Sequence, residues 1–320
     1  MDTIPSIRNA PPASMVPADT GRDSVVVLNP ESGTGTHGST VRRLAAAEGY
    51  AVRESRWPGH PIALAAEAVD DGADLVAAAG GDGTLNEVVR GVDAADGLDG
   101  VTVGVVPCGT GNGFARNVGV TGIQEAFEVL DSGERRWIDL GMADDRPFMN
   151  SCVGGLTAEA SAATTPALKR RFGTAAYVLS GVRTARRFEP VGLTVDCYDH
   201  DGEQAWTGNA VAVLVGNAQR FPPGGSEQAN IEDGLFDVTL LGDSGSVGLL
   251  TTLTVERLLA RRSPWTSRYT VPRLEITVDD GPATFSLDGE IIRRNQLSLS
   301  TRPKAVRIPV GDSYDRSPDR

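Results

Sequence analysis

The residues able to do chemistry in this chain sit in glycine-rich clusters. Three lie in its first 113 positions: Asn29-Pro30-Glu31-Ser32-Gly33-Thr34-Gly35, Gly80-Gly81-Asp82-Gly83-Thr84-Leu85-Asn86-Glu87 and Pro107-Cys108-Gly109-Thr110-Gly111-Asn112-Gly113. Glycine admits positive φ and close backbone approach, and the N–H groups it exposes form a concavity for anions. Each cluster leads toward a helix start, where unpaired N–H groups and the helix dipole favour phosphate. One such loop says little, whereas three on successive strand ends point to a nucleotide polyphosphate. The second loop carries Asp82 rather than the lysine of a G-x-x-x-x-G-K-[ST] loop. A carboxylate beside phosphates is repulsive unless a metal bridges them or it takes a proton. Asp82 therefore points to phosphoryl transfer with magnesium rather than to dinucleotide redox chemistry. Its plainer reading is a cap on the helix that begins near Thr84.

Two acidic turns follow much later. Leu287-Asp288-Gly289-Glu290 places two carboxylates on a turn between strands, and Asn230-Ile231-Glu232-Asp233-Gly234-Leu235-Phe236-Asp237 places several more. A hydroxyl attacking phosphorus needs a proton acceptor nearby, and positioning with charge neutralisation supplies most of the rate. An ordinary hairpin turn centred on Asp288-Gly289 is the bland alternative. For Asp233-Gly234, a plain turn and a metal site stand level.

Regular elements must position these loops. Ser24–Leu28, Ala51–Ser55, Asp74–Ala79 and Val101–Val106 read as short apolar strands, and Thr40–Glu48, Ile62–Val69, Thr84–Gly91, Gly113–Asn117 and Gln124–Leu130 as the helices between them. That alternation predicts a doubly wound parallel sheet of the α/β class. Ligands bind beyond the carboxyl ends of such strands, where all three glycine loops fall. Near Trp137–Gly141 the pattern changes. After a long helical stretch from Pro166 to Phe188, strand-like segments dominate at 191–198, 206–216, 236–241, 274–278, 284–287 and 297–301, with one more helix over Gly245–Arg262. This predicts a mainly antiparallel β-sandwich as a C-terminal domain. The expected division is a mobile tail over 1–22, a nucleotide-binding domain over 23–140, a substrate domain over 141–310 whose last strand is a candidate to return to the first domain, and a tail over 311–320.

Composition narrows the function classes. The 320 residues are 40% apolar and 22% charged, which excludes a mainly disordered chain. Acidic residues number 42 against 30 basic ones, for a net charge of −12, and Lys169 and Lys304 are the only lysines. Such a surface repels nucleic acid, so nucleic-acid binding is not expected as the main function. An acidic, lysine-poor chain also suits a salt-rich cytoplasm, and a halophilic host is the expectation. Cys108, Cys152 and Cys197 form neither a disulfide framework nor a zinc pattern, which fits a reducing, cytoplasmic location. No apolar run approaches the roughly 18 residues of a membrane-spanning helix. His37 and His60 lie near the nucleotide loops but read as surface histidines, and Trp57, Trp137, Trp206 and Trp265 read as core or interface anchors.

The same loops carry a family resemblance. Gly80–Glu87 (GGDGTLNE), Asn29-Pro-x-Ser-Gly, Pro107-x-Gly-Thr-Gly-Asn, Asn230–Asp237 (NIEDGLFD) and Leu287–Glu290 (LDGE) together resemble the diacylglycerol kinase catalytic-domain family, which includes bacterial lipid kinases, sphingosine kinases and ceramide kinases. GGDGT alone is shared with NAD kinases and phosphofructokinases; the later matches in this order are more specific. The resemblance implies an ATP- and Mg2+-dependent kinase acting on a lipid hydroxyl. It implies that Asn29, Ser55, Gly80, Gly81, Asp82, Gly83, Thr84, Leu85, Asn86, Gly109 and Thr110 hold ATP, with Asp82 and Thr84 nearest the reacting phosphates. It implies that Asp233, with backbone oxygens of Asn230 and Leu235, coordinates magnesium, and that Glu290, next to Asp288, accepts the proton.

Two departures stand out. Gly113 occupies a position where bacterial members usually carry aspartate, which loosens the link to diacylglycerol and leaves a sphingoid base open. The first loop lacks the usual basic residue, leaving backbone, magnesium or Arg116 to meet phosphate charge. NAD kinase is the rival enzyme. A non-catalytic nucleotide- or lipid-binding regulator is the rival of another class. The expected partner is a lipid substrate; the basic helical faces at 169–171, 183–187 and 257–262 read first as solvated faces with carboxylate partners, and alternatively as a grip on the inner face of a membrane.

Overall fold

The structure, a computed structural model, describes residues 23–155, 192–221, 227–242 and 266–318. The helices expected over Pro166–Phe188 and Gly245–Arg262 and the tail over 1–22 lie outside the described residues.

The first half alternates as expected. Strands β1 (Ser24–Leu28), β2 (Ala51–Glu54), β3 (Leu75–Gly80) and β4 (Thr102–Pro107) are interleaved with α1 (Gly38–Glu48), α2 (His60–Asp70), α3 (Asp82–Ala94), α4 (Gly113–Asn117) and α5 (Ile123–Ser132). β1, β3 and β4 are buried along their whole length. Continuous apolar runs of this kind belong to parallel strands covered on both faces. The strands run parallel in the order β2-β1-β3-β4. The chain leaves β1 in one direction and β3 in the other, so right-handed crossovers put α1 on one face and α2 and α3 on the opposite face. The crevice opens where the order reverses, between the carboxyl ends of β1 and β3. Those ends carry the first and second glycine loops.

The second half is antiparallel. One sheet runs β14 (Thr266–Val271), β13 (Phe236–Leu241), β10 (Ala212–Gly216), β7 (Ser151–Gly154), β16 (Ala283–Leu287) and β17 (Glu290–Arg294). The facing sheet holds β15 (Arg273–Val278), β8 (Leu193–Tyr198) and β9 (Gln204–Ala210) and is continuous with the parallel sheet. The join is β18 (Gln296–Val310). It pairs with β15 at Gln296–Ser300, reaches β4 at Arg307 and lies along β5 (Glu134–Ala143) on both sides of a bulge between Arg302 and Val306. Two apolar clusters result. One surrounds β1, β3 and β4, and the other lies between the two sheets, around Phe148, Phe236 and Phe285.

The mixed sheet is the main departure from two self-contained layers. Segments over 134–143, 146–148 (β6), 266–271 and 290–294 also form strands that periodicity did not single out. β14 and β17 are edge strands whose residues are mostly exposed, so no apolar alternation marks them. The tail expected at 311–320 is tied down as far as Arg316, which pairs with Glu134; Tyr314 is held as well. Its hydroxyl donates to Glu232 at 2.9 Å, and the Gly311 N–H donates to Val118 O at 2.9 Å.

Candidate active site

The three glycine loops converge. A Cβ on Gly33, whose φ is 60°, would lie 2.4 Å from Cys108 O, so the first loop presses on the third through a position open only to glycine. A Cβ on Gly109 would lie 2.4 Å from Gly81 Cα, which presses the third loop on the second. Asn29 Nδ2 donates to Thr84 Oγ1 at 3.1 Å across the β1–β3 crevice. The second and third loops are also joined by charge. Asp82 Oδ2 accepts from Gly113 N at 2.9 Å and Oδ1 from Phe114 N at 3.0 Å. Asp82 therefore does not cap its own helix. It caps the start of α4, on the neighbouring loop.

Not every residue expected to hold ATP faces the crevice alike. Thr110 and Gly83 are exposed, and Ser55 lies buried where β2 ends, its N–H on Leu28 O. Leu85 is sunk in the core. Asn86 turns away, donating to Asp288 Oδ2 at 2.9 Å and to Pro147 O at 3.3 Å. His37 is buried rather than on the surface, its Nε2 3.0 Å from Asn29 O. Arg116 bonds to Gly111 O within its own loop. Gly33, Gly35 and Gly38 have G-x-G-x-x-G spacing, and β2 ends on Glu54, where a dinucleotide fold places its ribose-binding acid. Here Glu54 is gripped at both oxygens by Arg42, at 2.5 and 2.9 Å.

The Asp288-Gly289 turn has φ of 48° and 96°, the positive pair of a two-residue hairpin between β16 and β17. The bland reading is thus right about the backbone, yet the side chain does more. The Asp288 carboxylate accepts from the N–H groups of Met149 at 2.6 Å, Asn150 at 2.8 Å and Ser151 at 2.8 Å, besides Asn86. Burial outweighs these bonds and pushes its pKa up to about 6. Glu290 is exposed and bracketed by two arginines, Arg90 of α3 at 3.3 Å and Arg146 of β6. Glu87, one turn before Arg90, accepts from Gly59 N at 3.1 Å, and burial raises its pKa.

The loop over 230–235 folds on itself. Asn230 Oδ1 accepts from Glu232 N and Asp233 Oδ1 from Leu235 N, each at 3.0 Å. The Ile231 and Gly234 carbonyls are taken by Asp139 N and Thr301 Oγ1. Carbonyls alternating with one carboxylate suit a hard cation such as Mg2+. No group of three or more His, Cys, Asp or Glu side chains that could hold a metal occurs among the described residues. The loop offers a cation oxygen donors alone, the kind magnesium takes.

Several residues of this region carry no motif. Asp139 is 1% exposed, bonded at Oδ2 to Gly234 N (2.6 Å) and at Oδ1 to Lys304 N in the β18 bulge (2.9 Å), and burial raises its pKa to about 6. Asn217 bridges Asp139 O and Met149 O. A lone aspartate in the apolar run Trp137-Ile138-Asp139-Leu140 was the readable signal, because unpaired carboxylates are rarely buried. Arg90 and Arg146 had none.

Both halves of the chain resemble known proteins. Residues 23–143 match the model of the diacylglycerol kinase catalytic domain, and residues 150–310 match that of the YegS C-terminal NAD kinase beta sandwich-like domain. A probable lipid kinase YegS-like of Stenotrophomonas maltophilia is 33% identical over 280 residues, covering 81% of this chain and 87% of that protein. One of Pseudomonas aeruginosa strain UCBPP-PA14 is 34% identical over 281 residues, covering 84% and 88%. The fold is shared with a diacylglycerol kinase structure from Bacillus anthracis strain Sterne, with a TM-score of 0.66 at 18% identity over 93% of this chain and 100% of that one. Both halves of the chain thus match one family: the chain belongs to the diacylglycerol kinase catalytic-domain family of lipid kinases and is a phosphotransferase with an alcohol as acceptor.

Proposed function

We propose that this enzyme transfers the γ-phosphoryl group of ATP to the hydroxyl of a lipid, as a diacylglycerol kinase does. The observation that carries the reading is the tie from the glycine loops to the acid turn, Asn86 to Asp288 at 2.9 Å. It supports the reading because it ties the turn that carries Glu290 to the helix of the second glycine loop. In this reading the N–H groups of Gly80, Gly81, Gly83 and Thr110, with Asn29, Ser55 and Thr84, receive the triphosphate. Gly109, whose N–H is held by Asn112 Oδ1, and Leu85, whose N–H is held by Gly81 O, shape the loops, and Asn86 stands behind the rim. Asp82 keeps the second and third loops in register beside the reacting phosphates. Glu290 takes the proton of the attacking hydroxyl at Oε1, because Arg90 and Arg146 both bond Oε2. Asp288 fixes the turn that aims it. Asp233 and the carbonyls of Asn230 and Leu235 would hold Mg2+, which when bound supplies charge neutralisation. Lipid approaches from the sandwich side, from a membrane surface facing a salt-rich cytoplasm.

Gly113 in place of aspartate keeps a sphingoid base in view beside diacylglycerol. The test is labelled ATP in high salt, incubated separately with diacylglycerol, a sphingoid base, fractionated host lipids and NAD, with mass analysis of the product. Label in a lipid supports the reading and names the substrate. Label in NAD alone, or ATP binding with no transfer, overturns it.

A further inference from the structure

Two large apolar side chains are strongly exposed among the described residues, Trp57 at 58% and Ile291 at 45%. They flank one face of one helix. Trp57 stacks on His60 at 3.9 Å, in a turn whose Gly59 N–H donates to Glu87 of α3. Ile291 follows Glu290, which pairs with Arg90 of α3. Glu87 and Arg90 are three residues apart and so neighbours on the helix surface. Glu290 therefore stands between the Trp57 turn and β17, with Ile291 on the far face of that strand.

Charge at this edge departs from the rest of the molecule. In a chain of net charge −12, β17 reads Glu-Ile-Ile-Arg-Arg. Strand alternation places Ile291 and Arg293 together on the face away from Ile292, which packs against the sandwich core. Arg293 is exposed and has no salt-bridge partner among the described residues, and Arg56, next to Trp57, is exposed as well. Tryptophan prefers the interfacial zone of a bilayer, and surface arginines are drawn to anionic headgroups. A lipid whose chains remain in the membrane can present only its polar end to Glu290.

We propose that Trp57 and Ile291, with Arg56 and Arg293, form an interfacial edge that seats the Glu290 rim on an anionic bilayer. This rests on the lipid-kinase reading for its purpose, although docking is measured separately. The full-length enzyme is sedimented with phosphatidylcholine vesicles with and without phosphatidylglycerol. The wild type should bind the anionic vesicles, and a Trp57→Ala/Ile291→Ser variant with an unchanged thermal melt should bind about tenfold more weakly. Arg293→Glu should weaken binding to the anionic vesicles alone. Brominated lipid should quench wild-type fluorescence more than that of Trp57→Phe. Turnover on vesicle-embedded diacylglycerol should fall in parallel, while turnover on dispersed short-chain diacylglycerol holds within about twofold. No sedimentation of the wild type, unchanged binding by the double variant, an equal fall on both substrates, or a dimer that the substitutions split would each overturn the proposal. Trp57-dependent binding without phosphate transfer to any lipid would keep the docking edge and remove the kinase reading. Transfer with unchanged binding would do the reverse.

Discussion

Asn86 and Asp288 meet at 2.9 Å although 202 positions separate them, and this bond joins the helix of the second glycine loop to the turn that carries Glu290. Asn86 belongs to the motif expected to hold ATP, yet its amide is spent on the acid turn. Asn86→Ala should therefore lower kcat by about tenfold to a hundredfold with little change in KM for ATP. Combined with Asp288→Asn, it should show a coupling of roughly 0.5–3 kcal/mol in a double-mutant cycle. A raised KM with unchanged kcat would make Asn86 a nucleotide ligand instead.

Asp288 also makes a statement about pH. Its folded pKa, pushed to about 6 by burial, lies above the 3.8 of a free aspartate. Between those values the folded state holds a proton that the unfolded state has released. This group's contribution to stability is therefore greatest near pH 4 and declines as pH rises toward 6, opposite to the usual salt-bridged carboxylate. Chemical denaturation of wild type and Asp288→Asn at pH 4, 5, 6, 7 and 8 should give curves whose difference shifts between pH 4 and 7 and is level above. A difference that keeps changing from 7 to 8 would place the proton elsewhere.

How much of this was legible in sequence divides along a physical line. The parallel half was readable nearly to the residue, because Ser24–Leu28, Leu75–Gly80 and Thr102–Pro107 are apolar on both faces and end in glycine turns. The convergence of the loops followed from that topology. Edge strands such as Glu290–Arg294 and Thr266–Val271 gave no period, since exposed positions face water on either side. The Arg302–Val306 bulge that lets β18 serve both halves depends on Asp139, 165 positions away from Lys304, and no local pattern encodes such a pairing. His37 was misread for the same reason, and Trp57 keeps only the interface half of its core-or-interface reading. One is buried by its bond to Asn29 and the other is left exposed at the rim, and burial of a lone ring is set by tertiary neighbours.

The glycines of the loops are not equivalent. A Cβ at position 80 would lie 2.3 Å from Thr84 Oγ1, and one at 109 would lie 2.4 Å from Gly81 Cα. At 113 the nearest atom is Asp82 Oδ2 at 3.5 Å, an ordinary contact. Gly113→Ala should leave Tm within a degree or two, since it also gains helix propensity, while Gly80→Ala and Gly109→Ala should each cost about 1–3 kcal/mol and most ATP binding. Gly113→Asp fits sterically but sets a second carboxylate beside Asp82. ATP affinity of that variant should respond more steeply to Mg2+ than the wild type does, measured by calorimetry across a Mg2+ titration.

Asp82 and Glu290 separate two kinds of loss. Glu290 is exposed and held by surface arginines, pairs that contribute little to stability. Glu290→Gln should remove about 10²–10⁴ of turnover with no change in Tm. Asp82 differs because both its oxygens receive backbone N–H groups at the start of α4. Asparagine would turn an N–H toward one of those donors, so Asp82→Asn should lose turnover and about 1–3 kcal/mol of stability together. Asp82→Glu, which restores charge but not reach, should recover neither. Thermal melts and initial rates on the same preparations decide the matter: an Asp82→Asn protein as stable as wild type would free Asp82 from its structural task, and Glu290→Gln at wild-type rates would remove Glu290 from the chemistry.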